Sequence, residues 1–277
     1  MPELPEVEAV KVGLNQLVKG KKIMKVEVLW PRIIESPDFE AFQSDLIGEE
    51  IEQVSRRGKY LIFHFTHWDL ISHLRMEGKY EFHQQSTPCL KHTHVVFYFE
   101  DGSELCYLDV RKFGRMVLVP KETAQYYKGI AKLGPEPVQD SFKKAQFKKQ
   151  LKKHSKAIKP VLLDQTLVTG LGNIYVDEAL FLAKIHPERP ANSLSEKEVA
   201  GLHAAIIKVL FEAVAAGGTT VRSYLNALGE AGNFQQQLKA YGKEGQPCVR
   251  CGTAIKKIKV AQRGTHFCPK CQKFPKV

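Results

Sequence analysis

No stretch of the chain reaches the roughly 18 consecutive apolar residues that a membrane-crossing helix needs, so a helical membrane span is excluded. The N-terminus, MPELPEVEAV, is acidic. It lacks the basic segment followed by an apolar one that marks a secretory signal, and the expected compartment is the cytoplasm. Internal repeats and low-complexity tracts are absent too, which excludes solenoid and fibrous architectures. Six cysteines among 277 residues are too few for a disulfide scaffold. What remains is the composition of a folded globular protein, 43% hydrophobic and 26% charged. The length fits one large domain or two of ordinary size.

Acid is scarce relative to base. Lys+Arg 41 against Asp+Glu 30 gives a net charge of +11. The excess is concentrated. Lys143 to Lys159 holds eight lysines and no acid, and Tyr241 to Val277 holds nine Lys/Arg against one Glu. Each stretch carries +8, which leaves the rest of the chain at about −5. One such patch reads equally well as a solvated lysine-rich surface. Two together point to a polyanionic partner, most often nucleic acid.

Periodicity divides the chain. Val7, Val10, Leu14 and Leu17 recur at helical spacing, with Pro5 in the first turn and Gly20 as a stop. KIMKVEVLW, KYLIFHF, HVVFYFE and ELCYLDV are β-rich or alternating, and the last two form a hairpin turning at Asp101-Gly102. Consecutive strands without helices between them predict an antiparallel sandwich. KLGPEP, Lys132 to Pro137, breaks regular structure and is the expected hinge. Beyond it Phe147 and Leu151 share a helix face, and LHAAIIKVLFEAVAA predicts a buried helix ending at Gly217-Gly218. The last 37 residues are too few for an ordinary core and need a staple.

Four cysteines supply it. Cys248-x2-Cys251 and Cys268-x2-Cys271 are two knuckles separated by a length that suits a β-hairpin, the spacing of a tetrahedral zinc site. With all four positions filled by sulfur, the ion is structural. Between the knuckles Arg263-Gly264 falls near the hairpin tip. It reads either as a solvated turn or as a cation presented to a groove. Cys89 and Cys106 have no partner pattern and read as ordinary thiols.

Pro2 follows the initiator Met. Removal of Met1 leaves a secondary amine with a pKa of about 7.7–8.0, partly unprotonated at neutral pH and able to form an iminium. Glu3 stands next to it as a general acid or base.

Further motifs appear in order: RRGKYLIF at 56–63, HLRMEGKY at 73–80, KHTH at 91–94, DVRKFG at 109–114, LGPEP at 133–137 and QTLVTGLGNIYVDEALFLAKIHP at 165–187. Together with MPELPEVE and the four-cysteine hairpin they resemble the bacterial formamidopyrimidine-DNA glycosylase (MutM) family, the 8-oxoguanine DNA glycosylase/AP lyases, over essentially the whole chain. The related endonuclease VIII group usually opens Pro-Glu-Gly-Pro. Pro-Glu-Leu-Pro here favours the oxidised-purine branch.

The resemblance implies an α+β multidomain fold: an N-terminal antiparallel β-sandwich over 1–131 with a leading helix, a hinge at 132–137, a helical helix–two-turn–helix domain over 138–235 and a β-hairpin zinc finger over 236–277. It implies one structural zinc ion, a monomer, and double-stranded DNA containing oxidised bases as the partner, lying between the domains. Pro2 is the implied nucleophile at the sugar C1′ and Glu3 the proton donor to the opening sugar. Lys59 is assigned to β-elimination and Arg263 to δ-elimination. Met76 fills the hole left by the flipped nucleotide, with Arg111 and Phe113 beside it. On strand periodicity alone Met76 and Phe113 read as core residues. His92 and Asn173 match phosphate contacts. The family's lysine before Ile-Lys-Pro aligns with His154 here, so Lys153 takes that contact, and Lys159 stands in the Ile-Lys-Pro itself. Glu77 and the loop residues Thr219, Thr220, Val221, Arg222 and Tyr224 are the implied lesion readers. Two rivals remain: a glycosylase for oxidised pyrimidines, and a non-enzymatic zinc-ribbon DNA-binding protein that would not need Pro2, Glu3 and Lys59 together.

Overall fold

The structure, a computed structural model, describes residues 2–85, 88, 90–137, 140–219 and 232–274. The chain divides into two compact units, residues 1–132 with 217–233, and residues 133–216 with 234–277.

The first unit begins with α1 (Leu4–Val18) and continues through β1 (Ile23–Val28), β2 (Ile34–Ser36), α2 (Phe39–Asp45), β3 (Ile51–Arg57), β4 (Tyr60–Phe65), β5 (Trp68–His73), β6 (Lys79–His83), β7 (Thr93–Phe99), β8 (Glu104–Leu108), β9 (Arg115–Pro120) and the short α3 (Lys128–Ala131). Two sheets form, ordered β1-β7-β8-β6 and β2-β9-β5-β4-β3. Their inner faces meet in one core. β7 shows the alternation that builds it: Val95, Phe97 and Phe99 enter the core, against Leu61, Phe63, Leu70 and Leu118 from the other sheet. All strand pairs in these sheets are antiparallel except β2 with β9, which is parallel. β2 is short and Pro37 follows it, a residue with no N–H to continue a ladder, so it serves only as an edge. Val7, Val10, Leu14 and Val18 of α1 are fully buried or nearly so in the same core. Each such burial stabilises by about 1.5–3 kcal/mol.

The second unit holds α4 (Lys144–Leu151), α5 (Ile158–Leu163), α6 (Asn173–Ala183), α7 (Glu196–Ala215), β10 (Lys256–Val260) and β11 (Arg263–Phe267). Phe147 and Leu151 share the buried face expected of them and join Tyr175, Leu180, Leu202, Ile206 and Leu210 in its core. Ser195 caps α7 in a reciprocal box with Glu198. The β10–β11 hairpin has a small core of its own, in which Ile255, Cys248 and Cys268 pack on Phe181 of α6. Polar ties reinforce that docking. The Arg250 guanidinium donates to the Phe181 and Leu182 carbonyls at 2.6 and 3.1 Å and stacks over the Phe181 ring. The Glu178 carboxylate accepts the N–H groups of Lys239, Ala240 and Tyr241. No described helix is long and apolar enough to cross a membrane.

Candidate active site

Pro2 and Glu3 are both buried at the head of α1, where Glu3 is the N-cap. The Glu3 N–H donates to Glu6 Oε2 at 2.8 Å. Glu6 Oε1 accepts from the Thr219 N–H at 2.7 Å and from its hydroxyl at 3.0 Å. The preceding Gly218 has φ +79°, and a Cβ there would lie 2.7 Å from Glu6 Oε1, so this approach requires glycine. Glu6 thus ties the start of the glycine-rich loop to the residue beside Pro2. It is absent from the sequence-derived site. The only local signal was its place three residues after the N-cap, the acidic position of a capping box. Of the expected lesion readers in that loop, Thr219 is buried; Thr220, Val221, Arg222 and Tyr224 lie outside the described residues, as does Cys89.

Lys59 occupies the two-residue turn between β3 and β4, after Gly58 with φ 59°, and is only 7% exposed. α1 packs along β3 in a fixed sense. The Asn15 side chain bonds both backbone groups of Val54, and Glu8 pairs with the Arg56 guanidinium at 2.6 Å. Moving toward the helix N-terminus therefore moves toward the β3–β4 turn, which brings the first turn of α1 and Lys59 to the same end of the unit. Across the ladder from Tyr60 stands His73. Burial, reinforced by the Arg75 and Lys59 cations, pushes its imidazole down to about 3, so it is neutral at physiological pH. Sequence reading did not single out His73; a strand-end histidine carries no distinguishing pattern.

Met76, Arg111, Phe113 and His92 gather around two buried side chains. Gly78 and Gly114 both press against Tyr107, where a Cβ would come within 2.2 and 1.8 Å of the hydroxyl. The 75–77 turn and the 109–114 loop therefore converge on one ring. Asp109, 1% exposed, shapes the loop by accepting N–H groups from Arg111, Phe113 and Gly114 at 3.0, 2.8 and 2.7 Å. Its own N–H donates to the carbonyl of His92, a residue at φ 72°. Phe113 is 47% exposed and stacks with Arg111 at 4.7 Å; Met76 is half-buried in the turn and Glu77 exposed. Periodicity alone would have put Met76 and Phe113 in the core. It fails because both lie in loops just outside the strands, where alternation no longer applies.

In the second unit Asn173 opens α6 and donates from Nδ2 to the Gly264 carbonyl at 3.0 Å. The same carbonyl accepts from Lys159 Nζ at 3.0 Å. Lys159 is completely buried and ion-paired with Asp177 at 2.7 Å. The second oxygen of Asp177 accepts the His266 N–H at 2.8 Å. Gly264 and His266 flank Thr265 on β11, so this network grips the strand immediately beside Arg263. Arg263 itself is exposed and follows the Ala261-Gln262 turn, whose two residues have positive φ. The basic stretch is therefore not uniform. Lys159 is internal, Lys148 pairs with Glu196, and Lys152 donates to the Asn192 and Leu194 carbonyls. Lys143, Lys144, Lys149, Lys153 and Lys156 are exposed, and His154 is half-buried.

Cys248, Cys251, Cys268 and Cys271 converge. The Cys251–Cys268 and Cys248–Cys271 sulfurs are 3.5 and 4.0 Å apart. Bonds of about 2.3 Å to a tetrahedral ion place sulfurs about 3.8 Å apart. Backbone N–H groups of Arg250 and Cys271 point at the Cys248 and Cys268 sulfurs. Geometry and donor set both fit a structural zinc ion.

A family model described as the formamidopyrimidine-DNA glycosylase N-terminal domain matches residues 1–116, and one for the H2TH domain of the same enzyme matches 133–224. A third, a zinc finger found in FPG and IleRS, matches 245–273. The chain is 66% identical over 274 residues to the formamidopyrimidine-DNA glycosylase of Enterococcus faecalis, covering 99% of this chain and 98% of that one. The chain belongs to the formamidopyrimidine-DNA glycosylase family. The Bacillus subtilis formamidopyrimidine-DNA glycosylase is 54% identical over 273 residues, 98% of this chain and 99% of its own. Among solved structures, Lactococcus lactis Fpg in complex with DNA containing N7-benzyl-Fapy-dG is 48% identical, with a TM-score of 0.93 over 99% of this chain and 100% of that one. A complex of the same enzyme with abasic-site DNA also gives a TM-score of 0.93, at 48% identity over 98% of this chain and 100% of that one. The family consists of DNA glycosylase/AP lyases. Its fold is the one found here: an N-terminal β-sandwich, a helical H2TH domain and a hairpin zinc finger, with the four cysteines as one structural zinc site.

Proposed function

We propose that this protein works in base-excision repair as a monomer, removing 8-oxoguanine and formamidopyrimidines from duplex DNA and then cleaving the strand. The observation that carries the reading is the buried Pro2-Glu3 pair at the head of α1, at the same end of the unit as the Lys59 turn. After loss of Met1 the Pro2 amine attacks the sugar C1′ of a flipped nucleotide. The N-glycosidic bond breaks, the base leaves, and the ring oxygen takes a proton from Glu3 as the iminium forms. Lys59 serves the proton transfers of β-elimination, which expels the 3′ phosphate. Arg263 serves δ-elimination, which expels the 5′ phosphate and leaves a one-nucleotide gap.

The other residues grip and read. Met76, Arg111 and Phe113, grouped over Tyr107 and Asp109, fill the vacated stack and meet the orphaned base. His92, Lys153 and Asn173 hold phosphates, with Asn173 also fixing the Gly264 carbonyl. Glu77 and the loop from Thr219 to Tyr224 read the lesion, and the opening Pro-Glu-Leu-Pro supports purine over pyrimidine lesions. Zinc supplies no chemistry to the reaction; it braces the hairpin that carries Arg263.

Borohydride trapping on duplex DNA with one 8-oxoguanine opposite cytosine tests the assignment. Wild type is expected to give a covalent adduct at residue 2, and Pro2→Gly and a form retaining Met1 to give little or none. Absence of an adduct from zinc-loaded, Met-free protein that still binds the duplex would overturn the nucleophile and favour a binding protein.

A further inference from the structure

The outward face of the four-stranded sheet carries a cluster that the repair chemistry does not use. His83 ends β6, Glu104 begins β8 directly across from it, and Cys106 follows two residues on, pointing to the same side. An outward face is ordinarily wet, yet Glu104 is 2% exposed and Cys106 3%. Val96 and Leu108 bury the thiol, with Tyr98 packed against them. One ligand atom from each of the three side chains lies within 4.8 Å of the other two. Cys106 Sγ is 3.8 Å from Glu104 Oε1. The Nε2 atom of His83 is buried and has no hydrogen-bond partner among the described residues. A buried polar atom left in that condition costs about 1–3 kcal/mol.

We infer that His83, Glu104 and Cys106 form a second metal site, in the other unit from the four cysteines, taking a borderline divalent transition-metal ion, with zinc as the occupant. The donor set selects the class. Calcium and magnesium demand oxygen ligands, and cuprous ion prefers sulfur alone, whereas one nitrogen, one sulfur and one oxygen suit zinc. Bonds of about 2.3 Å to sulfur and 2.0 Å to oxygen imply a sulfur–oxygen edge of about 3.5 Å, close to the spacing present. The charge balances as well. A thiolate and a carboxylate sum to −2 beside a neutral imidazole, and a divalent cation brings the buried cluster to zero. Binding releases the Cys106 thiol proton to solvent. Three protein ligands leave a fourth position for water. The ion would staple β6, an edge strand paired among the described residues with β8 alone, at the point where the chain departs toward His92.

The test uses the full chain, incubated with excess zinc, passed through gel filtration and assayed for metal per chain. Wild type should hold two zinc ions, and His83→Gln and Cys106→Ser should each hold one. Zinc-edge X-ray absorption on wild type alone removes dependence on the variants. Two occupied sites average two and a half sulfurs per zinc, whereas the cysteine finger alone gives four. Added zinc should also raise the thermal midpoint of the first unit in wild type and not in Cys106→Ser. One zinc per wild-type chain with an all-sulfur shell would overturn the proposal.

Discussion

Asp177→Asn isolates the device that holds Arg263 in place. In the native chain Asp177 and Lys159 are both fully buried, 2.7 Å apart. Lys159 has a second acceptor in the Gly264 carbonyl, and Asp177 a second donor in the His266 N–H. Neutralising the carboxylate removes the charge that balances an ammonium held inside the protein, leaving the Gly264 carbonyl still accepting from it. Breaking one side of a buried pair costs about 3–5 kcal/mol. Lys159→Met should cost a similar amount, because it strands the carboxylate. The double substitution leaves no uncompensated charge, so its cost should fall short of the sum of the singles by about 0.5–3 kcal/mol, the usual range of coupling between contacting groups. Urea unfolding of the second unit, followed by release of zinc to a metallochromic dye, reads these differences. A chemical readout separates positioning from stability. At urea-free temperatures where Asp177→Asn stays folded, cleavage of abasic-site DNA should accumulate the β-elimination product at the expense of the δ product, because β11 is no longer pinned beside Arg263. An Asp177→Asn protein with the wild-type urea midpoint and the wild-type product ratio would refute both halves of the argument.

Chelation of the finger zinc should unfold the β10–β11 hairpin and weaken DNA binding while the first unit stays folded; far-UV and near-UV dichroism with a parallel binding titration checks this. Affinity for undamaged duplex should fall linearly on a log–log plot against salt, since Lys143, Lys144, Lys149, Lys153 and Lys156 are exposed and each phosphate they neutralise contributes a slope of about −0.9. Glu6→Gln keeps the size of the side chain but can no longer accept from Glu3 and Thr219 on both oxygens; it should cost about 1–3 kcal/mol and lower lesion excision more than cleavage of preformed abasic sites, measured side by side. His73 is held neutral with a pKa pushed down to about 3, while the unfolded imidazole titrates near 6.5. Below pH 6.5 the unfolded chain therefore binds the extra proton, and stability falls on acidification down to about pH 3, by at most about 1.4 kcal/mol per pH unit from this group. His73→Gln should flatten that slope in urea titrations at successive pH values.

The parts of this protein that were legible in its sequence are the ones written locally. The two cysteine knuckles specify a metal site by spacing alone, and the alternation in HVVFYFE and ELCYLDV specifies a hairpin. What could not be read is which buried charges find each other. Lys159 counted as one more lysine in a basic patch, and nothing around it revealed that Asp177, on another helix, would take it inside. Glu6 and Thr219 are 213 positions apart, and their contact follows from the fold and not from either neighbourhood. Met76 and Phe113 show the opposite error. Local pattern says core, whereas their place in loops over Tyr107 leaves Phe113 exposed and Met76 half-buried.

A common logic links the residues that sequence reading missed. Asp177 divides its oxygens between the Lys159 ammonium and the His266 N–H, whereas three other buried acids hold sets of backbone N–H groups. Glu6 holds the N–H groups of Glu3 and Thr219, Asp109 those of Arg111, Phe113 and Gly114, and Glu178 those of Lys239, Ala240 and Tyr241. Each clamps an irregular segment whose amides have no ladder to join, and a carboxylate, with about four acceptor sites, offers more of them than any other side chain. The segments so fixed are the head of the helix proposed to carry the nucleophile, the loop proposed to fill the DNA stack, and the approach to the zinc hairpin. Burial raises the Glu178 carboxyl even against the three N–H donors that favour its charged form.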